Sequence, residues 1–124
     1  MLAYPPMKRL LAATCAALLP ALVRADDPPA NSPAKFAVSL ERGGEHEECV
    51  RLEAGESRRY YWHANGPVDF NIHFHHADEV SYPVKRAAMR GDGGTFTAKT
   101  GEEYCWMWTA RDKAAKVEGR VEAK

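Results

Sequence analysis

Residues 68–76 read Val68-Asp69-Phe70-Asn71-Ile72-His73-Phe74-His75-His76. Val68, Phe70, Ile72 and Phe74 alternate with Asp69, Asn71, His73 and His75, the period of a strand with one face in a core and the other toward solvent. Just upstream, Asn65-Gly66-Pro67 reads as the turn that starts this strand, because glycine accepts positive φ and proline fixes its own. Residues 57–63 place Tyr60 and Trp62 on one face and Arg59, Tyr61 and His63 on the other. Residues 49–53 supply a shorter strand closed by a turn at Ala54-Gly55-Glu56. Phe36, Val38 and Leu40 alternate ahead of the break at Gly43-Gly44.

Downstream, residues 82–85 suit an edge strand, since Pro83 has no donor for a central ladder. Gly91-Asp92-Gly93-Gly94 reads as a tight reversal. Residues 95–99 form a strand centred on Phe96, and Gly101 separates it from residues 103–109. There Tyr104, Trp106 and Trp108 share one face and Cys105 and Met107 the other. Residues 112–116 have room for one helical turn, and Val117, Gly119 and Val121 line a last strand. Short strands separated by turns predict an all-β fold, a small antiparallel β-sandwich of about seven or eight strands or a partly closed barrel.

The chain opens with a basic pair, Lys8-Arg9, followed by a mainly apolar run over residues 10–23, the layout of a secretory leader. Val23 and Ala25 are small enough to direct cleavage before Asp26, so residues 1–25 are read as a signal peptide. A start at Met7 gives a more conventional leader. The run has 14 positions and contains Pro20, whereas a membrane-crossing helix needs about 20, so no stable membrane anchor is expected. Residues 26–35, rich in Pro, Asp, Asn and Ser, read as a flexible lead-in, and residues 36–124 as a single domain. Lys8, Arg9 and Arg24 fall in the leader and all 17 acidic residues beyond it, which leaves the mature chain with 14 basic residues and a net charge of −3. That balance, without a sustained Lys/Arg run, argues against nucleic acid as a partner.

Cleavage removes Cys15 and leaves Cys49 and Cys105, 56 positions apart and in no CxxC motif. Export to the periplasm or extracellular space permits their pairing. A structural disulfide closing a loop of this length stabilises a fold by about 4 kcal/mol in the chain-entropy model.

The arrangement resembles the small β-sandwich of the GOLD-domain group found in emp24-like secretory proteins. The resemblance rests on a cysteine-bearing early strand, Val68-Asp69-Phe70-Asn71-Ile72, and Gly94-Thr95-Phe96-Thr97-Ala98 followed by Gly101-Glu102-Glu103-Tyr104-Cys105-Trp106, and it covers residues 36–109. It implies an interaction module. The long coiled coil and membrane anchor of emp24 proteins have no counterpart in this sequence, so their trafficking role does not carry over.

His73 and His75 share a strand face while Phe74 enters the core, so their imidazoles can converge. His63 and Met107 join them if their strands are neighbours, although Met107 shares its face with Cys105, whose disulfide ordinarily turns inward. Imidazole with thioether suits copper, and imidazole alone also suits zinc. The resulting expectation is an exported metal-binding protein with copper at His73, His75, Met107 and His63, and zinc as the alternative ion. The alternative function is a non-catalytic module that binds a protein partner. For that reading, Tyr60, Trp62, Trp106 and Trp108 recur at strand period as core residues do, and Tyr61 is the better exposed candidate. His46, in Glu45-His46-Glu47-Glu48, reads as loop surface. Catalysis finds little support, since no Ser or Thr sits in a nucleophile turn and there is neither a phosphate loop nor an HExxH sequence.

Overall fold

The computed structural model describes residues 34–123. The leader expected over residues 1–25 and most of the lead-in over 26–35 lie outside the described residues. Six strands follow one another: β1 (Ala34–Leu40), β2 (Glu45–Leu52), β3 (Ser57–His76), β4 (Glu79–Thr97), β5 (Glu102–Thr109) and β6 (Ala115–Ala123). All pair antiparallel, in the order β1-β6-β3-β5-β2 with β4 along the other edge of β3. The fold is all-β as expected, with six strands instead of seven or eight, because β3 and β4 each join segments that read as separate strands.

The 20-residue β3 organises the sheet. Its first half pairs with β6, from Arg58↔Ala123 to Ala64↔Val117. Its second half pairs with β5, from Asp69↔Thr109 to His73↔Cys105. Between the two lies Asn65-Gly66-Pro67, a bend within the strand and not the expected turn. Proline cannot donate to a ladder, and at the same bend the Asn65 side-chain oxygen accepts the Lys116 N–H at 2.8 Å. The strand thereby leaves one neighbour and meets the next. Two layers result. The first holds β1, β6, the start of β3 and the end of β4, and the second holds β2, β5, the end of β3 and the start of β4.

Gly91-Asp92-Gly93-Gly94 is likewise extended, paired with residues 60–63. A Cβ at Gly91 or Gly93 would come within 3.2 Å of the carbonyl oxygen of Trp62 or Tyr60, so these glycines serve close backbone approach, not reversal. The reversal between β3 and β4 falls at Ala77, whose φ is 52°. Residues 112–116, where one helical turn was expected, form none: 112–114 belong to the connection from β5 to β6, and 115–116 begin β6. Pro83 lies in β4, which pairs with β3 alone among the described strands, as an edge position requires.

Trp62, Val117 and Val121 of the first layer face Phe70, Ile72, Trp106 and Trp108 of the second, and all seven are buried. The rings interlock: Trp62 lies 6.3 Å from Trp108, Phe96 5.7 Å from Trp106, and Phe36 4.4 Å from Trp108. Gly119 sits where β6 crosses Trp62, and a Cβ there would lie 2.5 Å from the Tyr61 carbonyl oxygen and 2.6 Å from the Trp62 Cβ. Backbone cannot yield as a flexible side chain can. Gly119→Ala is therefore expected to destabilise the fold by about 1–3 kcal/mol, the usual cost of overpacking. Gly66→Ala, whose Cβ would meet nothing nearer than 3.7 Å, is the matched control, and urea unfolding of both variants checks the difference.

Candidate functional site

The strand parity that buries Phe70 and Ile72 and half-buries Phe74 against the core turns Asn71, His73 and His75 to the outer face of the second layer. On that face the register builds two rows across three strands. Glu47, Met107 and Asn71 form one, and Cys49, Cys105 and His73 the other. The cysteines pair directly across β2 and β5 with Cα atoms 4.1 Å apart, and the disulfide forms as expected. It lies on the outer face, opposite the tryptophans, and not in the core.

His73 and Asn71 are the buried polar residues of the described domain, 4% and 8% exposed. A polar group withdrawn from water needs a partner. His73 Nδ1 lies 2.7 Å from Asn71 Oδ1, and because a carbonyl oxygen only accepts, the ring donates from Nδ1. Nε2 lies 3.4 Å from Glu47 Oε1, reached diagonally over β5. Burial holds the imidazole below its ordinary pKa, with Glu47 pulling the other way. The Tyr82 ring covers His73 at 5.8 Å between centroids, and Lys85 Nζ stands 4.9 Å over Tyr82. His75 meets His73 edge to face at 5.3 Å.

Beside this cluster runs a groove of about 540 Å³ whose walls include Tyr82, Lys85, Arg86, Asp69 and Arg111. Asp69 is the one carboxylate among its lining residues, and it is engaged: it accepts from Arg111 at 2.9 Å and from the Ala88 N–H at 3.0 Å. Ala88 has a φ of 51°, at the irregularity where β4 slips past Val68 and Phe70. That bulge carries Arg86 on the rim of the groove.

His73, His75 and Met107 thus occupy one face. His63 does not join them: it lies ten positions up β3, on the first layer, with Nε2 3.0 Å from Glu118 Oε1. Ten residues of strand span about 33 Å of chain path. His46 belongs to β2, not to a loop, and is half-buried against Phe36 and Trp108 at 5.0 and 6.0 Å.

No protein-family model matches the chain, and no curated protein matches it. Solved structures do. The Yersinia pseudotuberculosis-derived mitogen is similar at 9% identity and a TM-score of 0.52, over 76% of this chain and 87% of that one. Aeromonas hydrophila PliG, a periplasmic lysozyme inhibitor of g-type lysozyme, is similar at 13% identity and a TM-score of 0.50, over 77% and 89%. A CBM4 structure also gives 13% and 0.50, over 73% and 71%. What they share is the fold. At these identities the likeness extends to the β-sandwich and not to particular side chains.

Glu47, Asn71, Tyr82 and Lys85 are absent from the candidates read in the sequence. Asn71 alone left a usable signal there, as the polar residue preceding His73 on the same strand face. Tyr61 is 57% exposed as expected, on the outer face of the first layer. It borders a shallow depression with Lys35, His63, Glu118 and Arg120. No helix among the described residues is long and apolar enough to cross a membrane.

Proposed function

We propose that the protein is an exported, non-catalytic recognition module that takes an acidic protein partner in the groove on the outer face of the second layer. The observation that carries this reading is the pair Lys85 and Arg86 beside the exposed Tyr82, in a groove whose one lining carboxylate, Asp69, is neutralised by Arg111. An exposed aromatic among cations combines contact area with charge steering. Export is supported by the disulfide. The side-chain partners held by His46, His63, His73 and His76 are carboxylates or an amide and not a hydroxyl or thiol that the imidazole could activate. Among proteins of similar fold, the Aeromonas protein is an inhibitor of g-type lysozyme, and the GOLD-like resemblance implies an interaction module.

Immobilised oxidised protein is expected to retain a saturable partner from the exported fraction, weakened by rising salt. Tyr82→Ala with Arg86→Glu should lower that affinity at least about tenfold, the order found when an interface anchor is removed. Tyr61→Ala, on the other layer, should leave it unchanged. Retention by the groove variant equal to that of the wild type, or its loss on Tyr61→Ala, rejects the groove.

The proximity of His73 and His75, with Met107 on the same face, favours a second reading in which the cluster binds copper through imidazole and thioether.

A further inference from the structure

Glu47 and His73 come from strands that are not neighbours. Strand β5 lies between them, and the two side chains meet only by reaching over Cys105 and Met107. What they present to each other is unusual. With Nδ1–H donated to Asn71 Oδ1, the neutral ring directs the Nε2 lone pair toward Glu47 Oε1, itself an acceptor, at 3.4 Å. Two acceptors face each other with no hydrogen between them. Protonating the ring would supply one and make the contact an ion pair.

A metal ion resolves the conflict in another way. Ligand atoms about 2.0–2.1 Å from a tetrahedral ion lie about 3.4 Å from each other, the separation found here. The Asn71 carbonyl oxygen occupies the outer position that orients a metal-binding imidazole. We propose that His73 Nε2 and Glu47 Oε1 form the preformed edge of a site for a borderline divalent ion, Zn(II) or Cu(II). Nitrogen with carboxylate oxygen suits these ions, whereas a thioether would shift preference toward Cu(I). Glu47 is exposed, so the carboxylate side is open to solvent. His75 is also exposed, its ring centroid 5.3 Å from that of His73, on the side of His73 away from the row of Glu47, Met107 and Asn71. Glu47 also lies within 4.8 Å of both cysteine sulfurs, but as a disulfide these are no thiolate donors. The site shares His73 with the copper reading and differs from it in replacing the Met107 thioether by the Glu47 carboxylate.

The test is titration of chelator-treated, oxidised protein with Zn(II) and with Cu(II), followed by calorimetry and by the imidazole nitrogen resonances of His73. One ion per chain is expected, with Nε2 shifting and Nδ1 remaining protonated. Glu47→Gln, an exposed and nearly isosteric change that spares the fold, should weaken binding at least about tenfold. Met107→Leu should change it less than about twofold. Equal affinity in wild type and Glu47→Gln overturns the proposal. Loss of binding in Met107→Leu with retention in Glu47→Gln overturns it in favour of the thioether set. Absence of saturable binding in the wild type overturns both metal readings and leaves the groove to be judged by its partner alone.

Discussion

Trp108→Ala is expected to lower the free energy of unfolding by about 3–5 kcal/mol, the cost of deleting a large buried ring. Few positions touch so much of the fold. Trp108 is fully buried, and its ring packs on Phe36 of β1, His46 of β2, and Trp62 and Phe70 of β3. It thus joins both layers and both ends of the long strand. Native domains are stable by roughly 5–15 kcal/mol, so the variant should lose from about a fifth to all of its stability. Trp108→Phe separates ring volume from polarity. The indole Nε1 is buried with no hydrogen-bond partner among the described residues, so phenylalanine removes volume without orphaning an acceptor and sheds an unpaired donor. Its cost should be well under half that of alanine. Urea unfolding followed by far-UV circular dichroism distinguishes the two, and equal midpoints for Trp108→Ala and wild type would overturn the assignment of Trp108 as the joint between layers.

The side-chain faces were legible in the sequence, because strand period two is a local property. Tyr60 and Trp62 turn inward, Tyr61 and His63 outward, and Tyr104, Trp106 and Trp108 into the core, as alternation alone implies. Reversals were not legible, because turn-forming residues serve other needs here. Gly91 and Gly93 let β4 press against β3, and Asn65-Gly66-Pro67 hands β3 from β6 to β5. The reversal at Ala77-Asp78 lacks the glycine or proline that marks a turn. Half of the site could be read for the same reason that the faces could: His73 and His75 are two apart on one strand. Glu47, Tyr82 and Lys85 reach His73 or its cover only through the order β4-β3-β5-β2. Tyr82 and Lys85 arrive through the β3–β4 hairpin, whose unmarked reversal hid it, whereas Glu47 arrives through the β3–β5 and β5–β2 pairings between residues tens of positions apart, which no local pattern encodes.

Removing the disulfide, as Cys49→Ala with Cys105→Ala, is expected to cost about 2–4 kcal/mol of stability and to loosen β2 before the rest of the fold. The bridge closes a loop of 56 residues and joins β2 to β5. Strand β2 pairs with β5 alone among the described strands. Without the covalent link, that one ladder and the inward contacts of His46, Val50 and Leu52 hold it. Edge strands with a single neighbour open locally at lower free energy than central ones, so hydrogen exchange should accelerate first over Glu45–Leu52. Exchange at β3 and β6 should follow the global stability. Glu47 is two residues from Cys49 on the same face, so opening β2 carries the carboxylate away from His73. The reduced or double-alanine protein is therefore expected to lose the Glu47–His73 contact while retaining much of the groove, whose rim residues Tyr82, Lys85, Arg86 and Arg111 lie outside β2. Exchange over β2 that tracks β3 with the bridge absent would overturn this division and make the sandwich one cooperative unit. Divalent-ion binding and groove binding measured on the Cys49→Ala, Cys105→Ala protein, which unlike the reduced protein offers no thiolate ligands beside Glu47, then separate the two surfaces: the first should fall with β2, and the second should persist as long as the sandwich remains folded.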